Sequence, residues 1–178
     1  MLKTRILAIF IFYTIIAQSQ TLDVGIRIQK TDQMYWENGV SAQYSFPKFK
    51  PNQFFVGFDY VTSRLGTAYH SNAIKQDSYL FSGSWLFNKN KPYHIVTRLN
   101  MGYFYSDLEE DIFKDVPNTS FLLSPELGFK YNLKKLPLSL NLGAGFYIIT
   151  AKEGYSPGTL QPLYYHFDIY YNLIKPKK

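Results

Sequence analysis

The sequence predicts an all-β protein: an eight-stranded antiparallel up-and-down transmembrane β-barrel, preceded by a cleaved signal peptide. Three observations lead there. Apolar and polar side chains alternate with a period of two along eight stretches of the chain, the mark of strands with unlike environments on their two faces. Nothing after residue 20 is long and apolar enough to form a membrane helix. Aromatic residues make up 19% of the chain and charged ones 18%, with 16 Tyr and 15 Phe, a balance unlike that of a soluble domain. An exported chain without a spanning helix can still cross a membrane, as a closed barrel.

The opening MLKTRILAIFIFYTIIAQSQ carries Lys3 and Arg5, then an apolar run from Ile6 to Ala17, then small and polar residues. That order is the order of a secretory signal peptide. Ala17 and Ser19 satisfy the small-x-small rule and place the cut before Gln20. A membrane-anchoring helix would need roughly 20 apolar residues, and this run has 12. The chain therefore divides into a signal peptide, 1–19, and a barrel domain, 20–178. Cysteine is absent, which excludes a disulfide framework, thiolate chemistry and a lipid-modified cysteine. Without Lys3 and Arg5 there remain 17 basic and 13 acidic side chains, a net charge of +4. The excess is concentrated in KPKK (Lys175, Lys177, Lys178), too mild and too local to argue for nucleic acid.

The strands follow in order. In TLDVGIRIQK, Leu22, Val24, Ile26 and Ile28 alternate with Asp23, Gly25, Arg27 and Gln29. In GVSAQYSF, Val40, Ala42, Tyr44 and Phe46 alternate with Ser41, Gln43 and Ser45. FFVGFDYVTSRL sets Phe54, Val56, Phe58 and Tyr60 against Gly57, Asp59 and Ser63. DSYLFSGSWLF sets Tyr79, Phe81, Trp85 and Phe87 against Ser78, Ser82 and Ser84. HIVTRLNMGYFYS has Ile95, Leu99, Met101, Tyr103 and Tyr105 opposite His94, Arg98, Asn100 and Gly102. FLLSPELGFKYNL has Phe121, Leu123, Leu127, Phe129, Tyr131 and Leu133 opposite Ser124, Glu126, Gly128 and Lys130. LSLNLGAGFYIIT has Leu138, Leu140, Leu142, Phe146 and Ile148 opposite Ser139, Asn141, Gly143 and Gly145. The last, PLYYHFDIYYNLI, is the cleanest: Leu163, Tyr165, Phe167, Ile169, Tyr171 and Leu173 on one side, Tyr164, His166, Asp168, Tyr170 and Asn172 on the other.

Connections alternate in length. PKFKPNQ, NKNKPY and KKLP are short and turn-like; KTDQMYWEN, GTAYHSNAIKQ, DLEEDIFKDVPNT and AKEGYSPGTLQ are longer. Membrane barrels pair short periplasmic turns with long extracellular loops, so both chain ends fall on the periplasmic side. A soluble eight-stranded barrel would alternate in the inverted sense. Three features favour lipid on the apolar face. Eight strands enclose a space just wide enough for side chains, and the aromatic-rich apolar set would overfill it. The polar face carries Gly25, Gly57, Gly102, Gly128, Gly143 and Gly145, as a crowded interior requires. Aromatics of the apolar face gather at strand ends: Phe46, Phe54, Trp85, Phe87, Tyr131 and Tyr171 at one rim, Tyr60, Tyr79, Tyr105 and Tyr165 at the other, the pattern of interfacial girdles.

With its signal peptide, its AQSQ cleavage region and the LGAGFYIIT penultimate strand, the chain resembles the small eight-stranded outer-membrane β-barrel proteins of Gram-negative bacteria. The resemblance implies a place in the cell outer membrane, contact with outer-membrane lipid and lipopolysaccharide, and handling by the barrel assembly machinery during insertion. Such barrels often end on an aromatic residue that this machinery recognises, whereas this chain continues past Tyr171 and Leu173 into IKPKK. No specific protein partner is named by the sequence.

The inward face holds Asp23, Arg27, Asp59, Arg98, Glu126, Lys130, His166 and Asp168. Buried charges need partners, and this set reads as an ion-paired plug, with Arg98 and Glu126 on consecutive strands as a pair; the alternative is a gated narrow conduit. His166 and Asp168 point into that filled interior, out of reach of a substrate, so no catalytic residue is assigned. The segment YHSNAIKQ is similar to the His-x-Ser-Asn stretch of lipid A deacylases, which are also eight-stranded outer-membrane barrels, and which add a distant glutamate to the histidine and serine. Here His70 and Ser71 are adjacent, ahead of the fourth strand, and no glutamate follows on that strand; a polar loop tip accounts for them. SDLEEDIFKDV carries Asp107, Glu109, Glu110, Asp111 and Asp115. Clustered carboxylates can hold Ca²⁺ or Mg²⁺, but the spacing matches no EF-hand and suits a solvated acidic loop. Phosphate-cradling glycine loops, zinc spacings and nucleotide fingerprints are absent, so neither cofactor nor metal is expected. The expected role is non-enzymatic, structural or of surface-interaction type, with a lipid A-modifying acyl hydrolase and a narrow passive channel as alternatives.

Overall fold

The computed structural model describes residues 21–31, 36–46, 53–63, 74–88, 91–108, 118–149 and 163–174; the expected signal peptide, 1–19, lies outside them. Eight strands are arranged in chain order: β1 Thr21–Thr31, β2 Trp36–Ser45, β3 Phe54–Thr62, β4 Ile74–Leu86, β5 Tyr93–Leu108, β6 Thr119–Asn132, β7 Leu138–Phe146 continued at Ile148–Ile149, and β8 Leu163–Ile174. Each pairs antiparallel with its neighbours in the chain. β8 then pairs antiparallel with β1, placing Ile169 beside Ile26 and Asp168 beside Arg27, and so closes the sheet. The result is an up-and-down barrel.

The break in β7 has a local cause. Gly145 pairs with Glu126 and Ile148 pairs with Leu123, which is one continuous register across the gap. Within the gap, Phe146 falls opposite Pro125, and proline has no N–H to give to a ladder. At the rim between β4 and β5, Asn88 adopts a left-handed conformation (φ 61°), which asparagine tolerates in turns, and its carbonyl accepts the Lys91 N–H at 3.0 Å.

One expectation is corrected. The long first connection, KTDQMYWEN, is mostly strand: Lys30 pairs with Trp36 and Gln29 with Glu37, leaving only 32–35 between β1 and β2. The reason is that its polar residues are interior ones. Thr31 and Glu37 are buried and bonded to each other, and Glu37 also accepts from Gln29 of the expected first strand, while outside the barrel the Lys30 ammonium lies 5.4 Å from the Trp36 ring centroid. The other outer connections, 63–73, 109–118 and 150–162, are longer than the turns 87–92 and 133–137.

The two faces are sorted as the alternation requires. Phe81, Leu127 and Leu142 are 64%, 61% and 61% exposed, whereas Glu37, Asp59 and Asp168 are at 0%. Every strand adds at least one large exposed apolar side chain: Ile26, Val40, Phe58, Phe81, Met101, Leu127, Leu142 and Phe167 in turn. A monomeric protein in water does not expose an apolar surface that runs round its whole circumference. Aromatics pair across neighbouring strands on this outer face, Phe58 with Phe81 and Tyr60 with Tyr79 at 5.2 Å, Tyr103 with Phe121 at 5.7 Å. Such contacts stabilise the sheet from the side on which no core exists. At the rims stand exposed Phe46, Phe87, Tyr131 and Tyr171, and opposite them Tyr79, Tyr105 and Tyr165.

This facing can be tested. Leu142→Arg, halfway along β7, is expected to destabilise the barrel in phospholipid vesicles by about 2–4 kcal/mol, the cost of a cation near the bilayer midplane, measured by urea titration. Asn141→Arg, on the neighbouring inward position, would crowd a charged interior instead. Unchanged stability of the Leu142 variant in vesicles would mean that this face does not meet lipid.

Candidate functional site

The interior is layered. Halfway up, Arg27 of β1 and Arg98 of β5 reach across the lumen toward three carboxylates. Arg27 Nη2 donates to Glu126 Oε1 at 2.5 Å, and its Nε donates to Gln29 Oε1 at 3.0 Å. Its Nη1 lies 3.6 Å from Asp59 Oδ2 and its Nε 3.9 Å from Asp168 Oδ1. Arg98 Nη2 lies 2.9 Å from Asp59 Oδ2 and donates to Ser82 Oγ at 2.8 Å. Its Nη1 donates to the Tyr170 hydroxyl at 3.3 Å. Asn141 donates to Asp168 Oδ2 at 2.8 Å, and the Tyr164 hydroxyl donates to Glu126 Oε1 at 2.7 Å. The hydroxyl of Ser41 also bonds Asp59. The Arg98–Glu126 pair expected from sequence exists, at 4.0 Å, but each has a closer partner elsewhere in the barrel. Sequence neighbours could suggest that pair; only closure could bring Arg27 to Glu126.

Below this layer, Lys130 Nζ sits 3.1 Å from Asp23 Oδ2, and Gln43 and Asn172 donate to the same carboxylate at 2.8 and 2.6 Å. Apolar side chains close both ends. Leu80, Phe104, Leu122, Tyr147, Ile149 and Tyr164 form a buried cluster toward the outer rim; Phe55, Leu86 and Val96 form another toward the turn side. These residues belong to consecutive apolar pairs such as FF and LL, in which alternation sends one member inward. Sequence reading followed the outward member and, apart from Tyr164, missed the plugs.

Glycine makes the layer possible. Gly143 and Gly145 lie directly across from His166 and Tyr164. A Cβ on Gly143 would collide with the His166 ring, and one on Gly145 with the Tyr164 ring and Glu126 Cγ. Small residues on β7 thus admit large polar ones on β8.

His166 is held between two carboxylates, Nδ1 3.0 Å from Asp168 Oδ2 and Nε2 3.5 Å from Glu126 Oε2. No hydroxyl nucleophile is among its hydrogen-bond partners in the described residues, and the ring is buried beneath the outer plug. All eight inward residues named from sequence are buried. Sequence missed a fifth acid, Glu37. Its Oε2 accepts from Gln29 at 2.6 Å and Thr31 at 3.2 Å, while its Oε1 has no hydrogen-bond partner among the described residues. No basic group stands at ion-pair distance from it among the described residues. His70, Ser71 and the acidic run 109–115 lie outside the described residues. Within the described residues no group of three His, Cys, Asp or Glu could hold a metal ion. A depression of about 530 Å³ lies on the outer wall, around Ala42 between Val24 and Phe58, and not in the lumen.

Solved structures share this architecture. The crystal structure of Neisserial surface protein A (NspA) superposes with a TM-score of 0.60 at 13% identity, covering 86% of this chain and 96% of that one. The fold is that of a small outer-membrane β-barrel. The outer membrane protein OprG from Pseudomonas aeruginosa matches with a TM-score of 0.53 at 14% identity, over 88% of this chain and 96% of its own. The outer membrane enzyme PagL matches with a TM-score of 0.50 at 11% identity, over 85% and 99%. No protein-family model matches the sequence, and no curated protein matches it significantly. At these identities the likeness is one of fold.

The two kinds of buried carboxylate should respond oppositely to neutralisation. Glu126→Gln leaves Arg27 without its 2.5 Å partner and is expected to cost about 3–5 kcal/mol, as breaking a buried pair does. Glu37→Gln removes a desolvated charge with no cation at ion-pair distance among the described residues and is expected to leave stability unchanged or raise it. Urea unfolding in vesicles measures both, and equal losses would show that Glu37 is tied as firmly as Glu126.

Proposed function

We propose that this chain is a non-enzymatic outer-membrane barrel of structural or surface-interaction type, acting through its outer connections and not through its lumen. The observation that carries the reading is the filling of the interior. A cross-linked ionic layer stands between two apolar clusters, and eight strands leave little space beyond what side chains occupy. An ion on its way through would have to part Arg27 from Glu126 and then pass Phe104 and Leu122. A substrate bound for His166 would meet the same cluster. What contacts partners is then the set of segments beyond the outer rim, where binding residues of rigid scaffolds usually reside.

In planar bilayers the purified chain is expected to give no discrete conductance steps. Reproducible single-channel openings would replace this reading with that of a narrow passive channel. Since one of the superposing proteins is an outer membrane enzyme, an acyl hydrolase centred on His70 is tested separately. His70→Ala is expected to leave the lipid A acyl pattern of producing cells unchanged, and a shift in that pattern by mass spectrometry would make the protein an enzyme.

A further inference from the structure

The two rims of the barrel carry opposite charge. At the rim where the chain enters β1 and leaves β8, the connecting sequences are PKFKPNQ, NKNKPY and KKLP, and the chain runs on into KPKK. Each turn brings two lysines and the tail three, without one aspartate or glutamate among them. Between β5 and β6, at the other rim, EEDIFKDVPN holds four acids and one lysine.

The described part of the basic rim has a particular geometry. Lys134 and Lys135 are exposed in the turn after β6 and are followed by Leu136, 50% exposed. Lys91 is exposed, and its Nζ lies 5.2 Å from the centroid of the Tyr93 ring. Tyr93 in turn stacks on Phe129, with centroids 6.1 Å apart and planes 14° apart, on the outer wall. From rim to belt the order is ammonium, phenol, phenyl. A membrane interface has the same order: cations at the phosphates, tyrosine at the boundary, phenylalanine among acyl chains. A soluble anion would meet the turns without using the rings beneath them.

We infer that this rim is a docking surface for anionic phospholipid headgroups, which it gathers from the leaflet it lies in. The phosphate meets Lys91, Lys134 and Lys135, while the acyl chains lie along Tyr93 and Phe129. The attraction adds over the lysines and is screened by salt. The inference rests on the outer wall facing lipid, not on which leaflet holds the rim.

The test reconstitutes the chain from Gln20 into nanodiscs of phosphatidylcholine with a minor share of phosphatidylglycerol. Lipid retained after partial delipidation is counted by native mass spectrometry. Both leaflets contain phosphatidylglycerol, so topology does not enter. Phosphatidylglycerol is expected several-fold above its bulk share, falling toward that share as salt is raised. The triple variant Lys91→Gln, Lys134→Gln, Lys135→Gln should lose most of the enrichment, and Lys114→Gln, from the other rim, should keep it. No enrichment by the unmutated protein at low salt would overturn the inference, as would enrichment indifferent to salt. Lysine-dependent binding to peptidoglycan sacculi without lipid enrichment would overturn it too, and would make the partner an anionic polymer. The salt titration uses unmutated protein and stays decisive even if the triple variant does not fold. A chain that fails to enter nanodiscs at all would instead refute the membrane facing.

Discussion

Everything else in this structure depends on the pairing of β1 with β8, from Leu22 beside Ile174 to Thr31 beside Tyr164. In hydrocarbon no water is available to an unpaired N–H or C=O, so a sheet that crosses a membrane must have no edge. Closing the sheet satisfies the backbone and at the same stroke decides the side chains. One face is turned to the bilayer and must be apolar; the other encloses a narrow space and must pack. The usual hydrophobic core is thereby turned outward, and the folded state gains little from keeping these apolar groups away from water that lipid already excludes.

What holds the inside together is therefore mostly polar. Arg27 links Glu126 and Gln29 directly and stands near Asp59 and Asp168, so four strands converge on one guanidinium. Arg98 ties β5 to Asp59 of β3 and Ser82 of β4. Lone buried ion pairs repay their desolvation poorly, but these groups share partners, and each carboxylate also receives hydrogen bonds from Ser41, Asn141 or Tyr164. The network also specifies register. Sliding β8 by one residue against β1 would turn Asp168 and His166 to lipid, at a cost no rearrangement inside could offset.

The same closure limits what the protein can do. With an ionic layer and apolar plugs in the lumen, the role proposed above falls to the rims and the segments beyond them. A barrel of this size is shared by a surface protein and by an enzyme, which is the general lesson that activity resides in the segments a fold presents. The sidedness of charge belongs to this rim chemistry. Lysine-rich turns at one end and acidic connecting sequence at the other give a bundle of similar strands two different ends.

The sequence by itself determined the strands, their facing and the membrane. Period-two alternation is a local property, and a chain with Leu163, Tyr165 and Phe167 on one side and Tyr164, His166 and Asp168 on the other declares its two environments without help from distant residues. It also determined which charges lie inside, except Glu37, whose strand was hidden because Thr31 and Glu37 look like loop residues until their hydrogen bonds to each other and to Gln29 are known. Only the tertiary structure decided who pairs with whom. Arg27 meets Glu126 across 99 residues and Lys130 meets Asp23 across 107, distances over which spacing carries no information. Which inward apolar residues gather into a plug was decided there too. Alternation already turns Leu80 inward beside Ser78 and Ser82, but only the closed sheet brings it against Phe104, Leu122 and Tyr164.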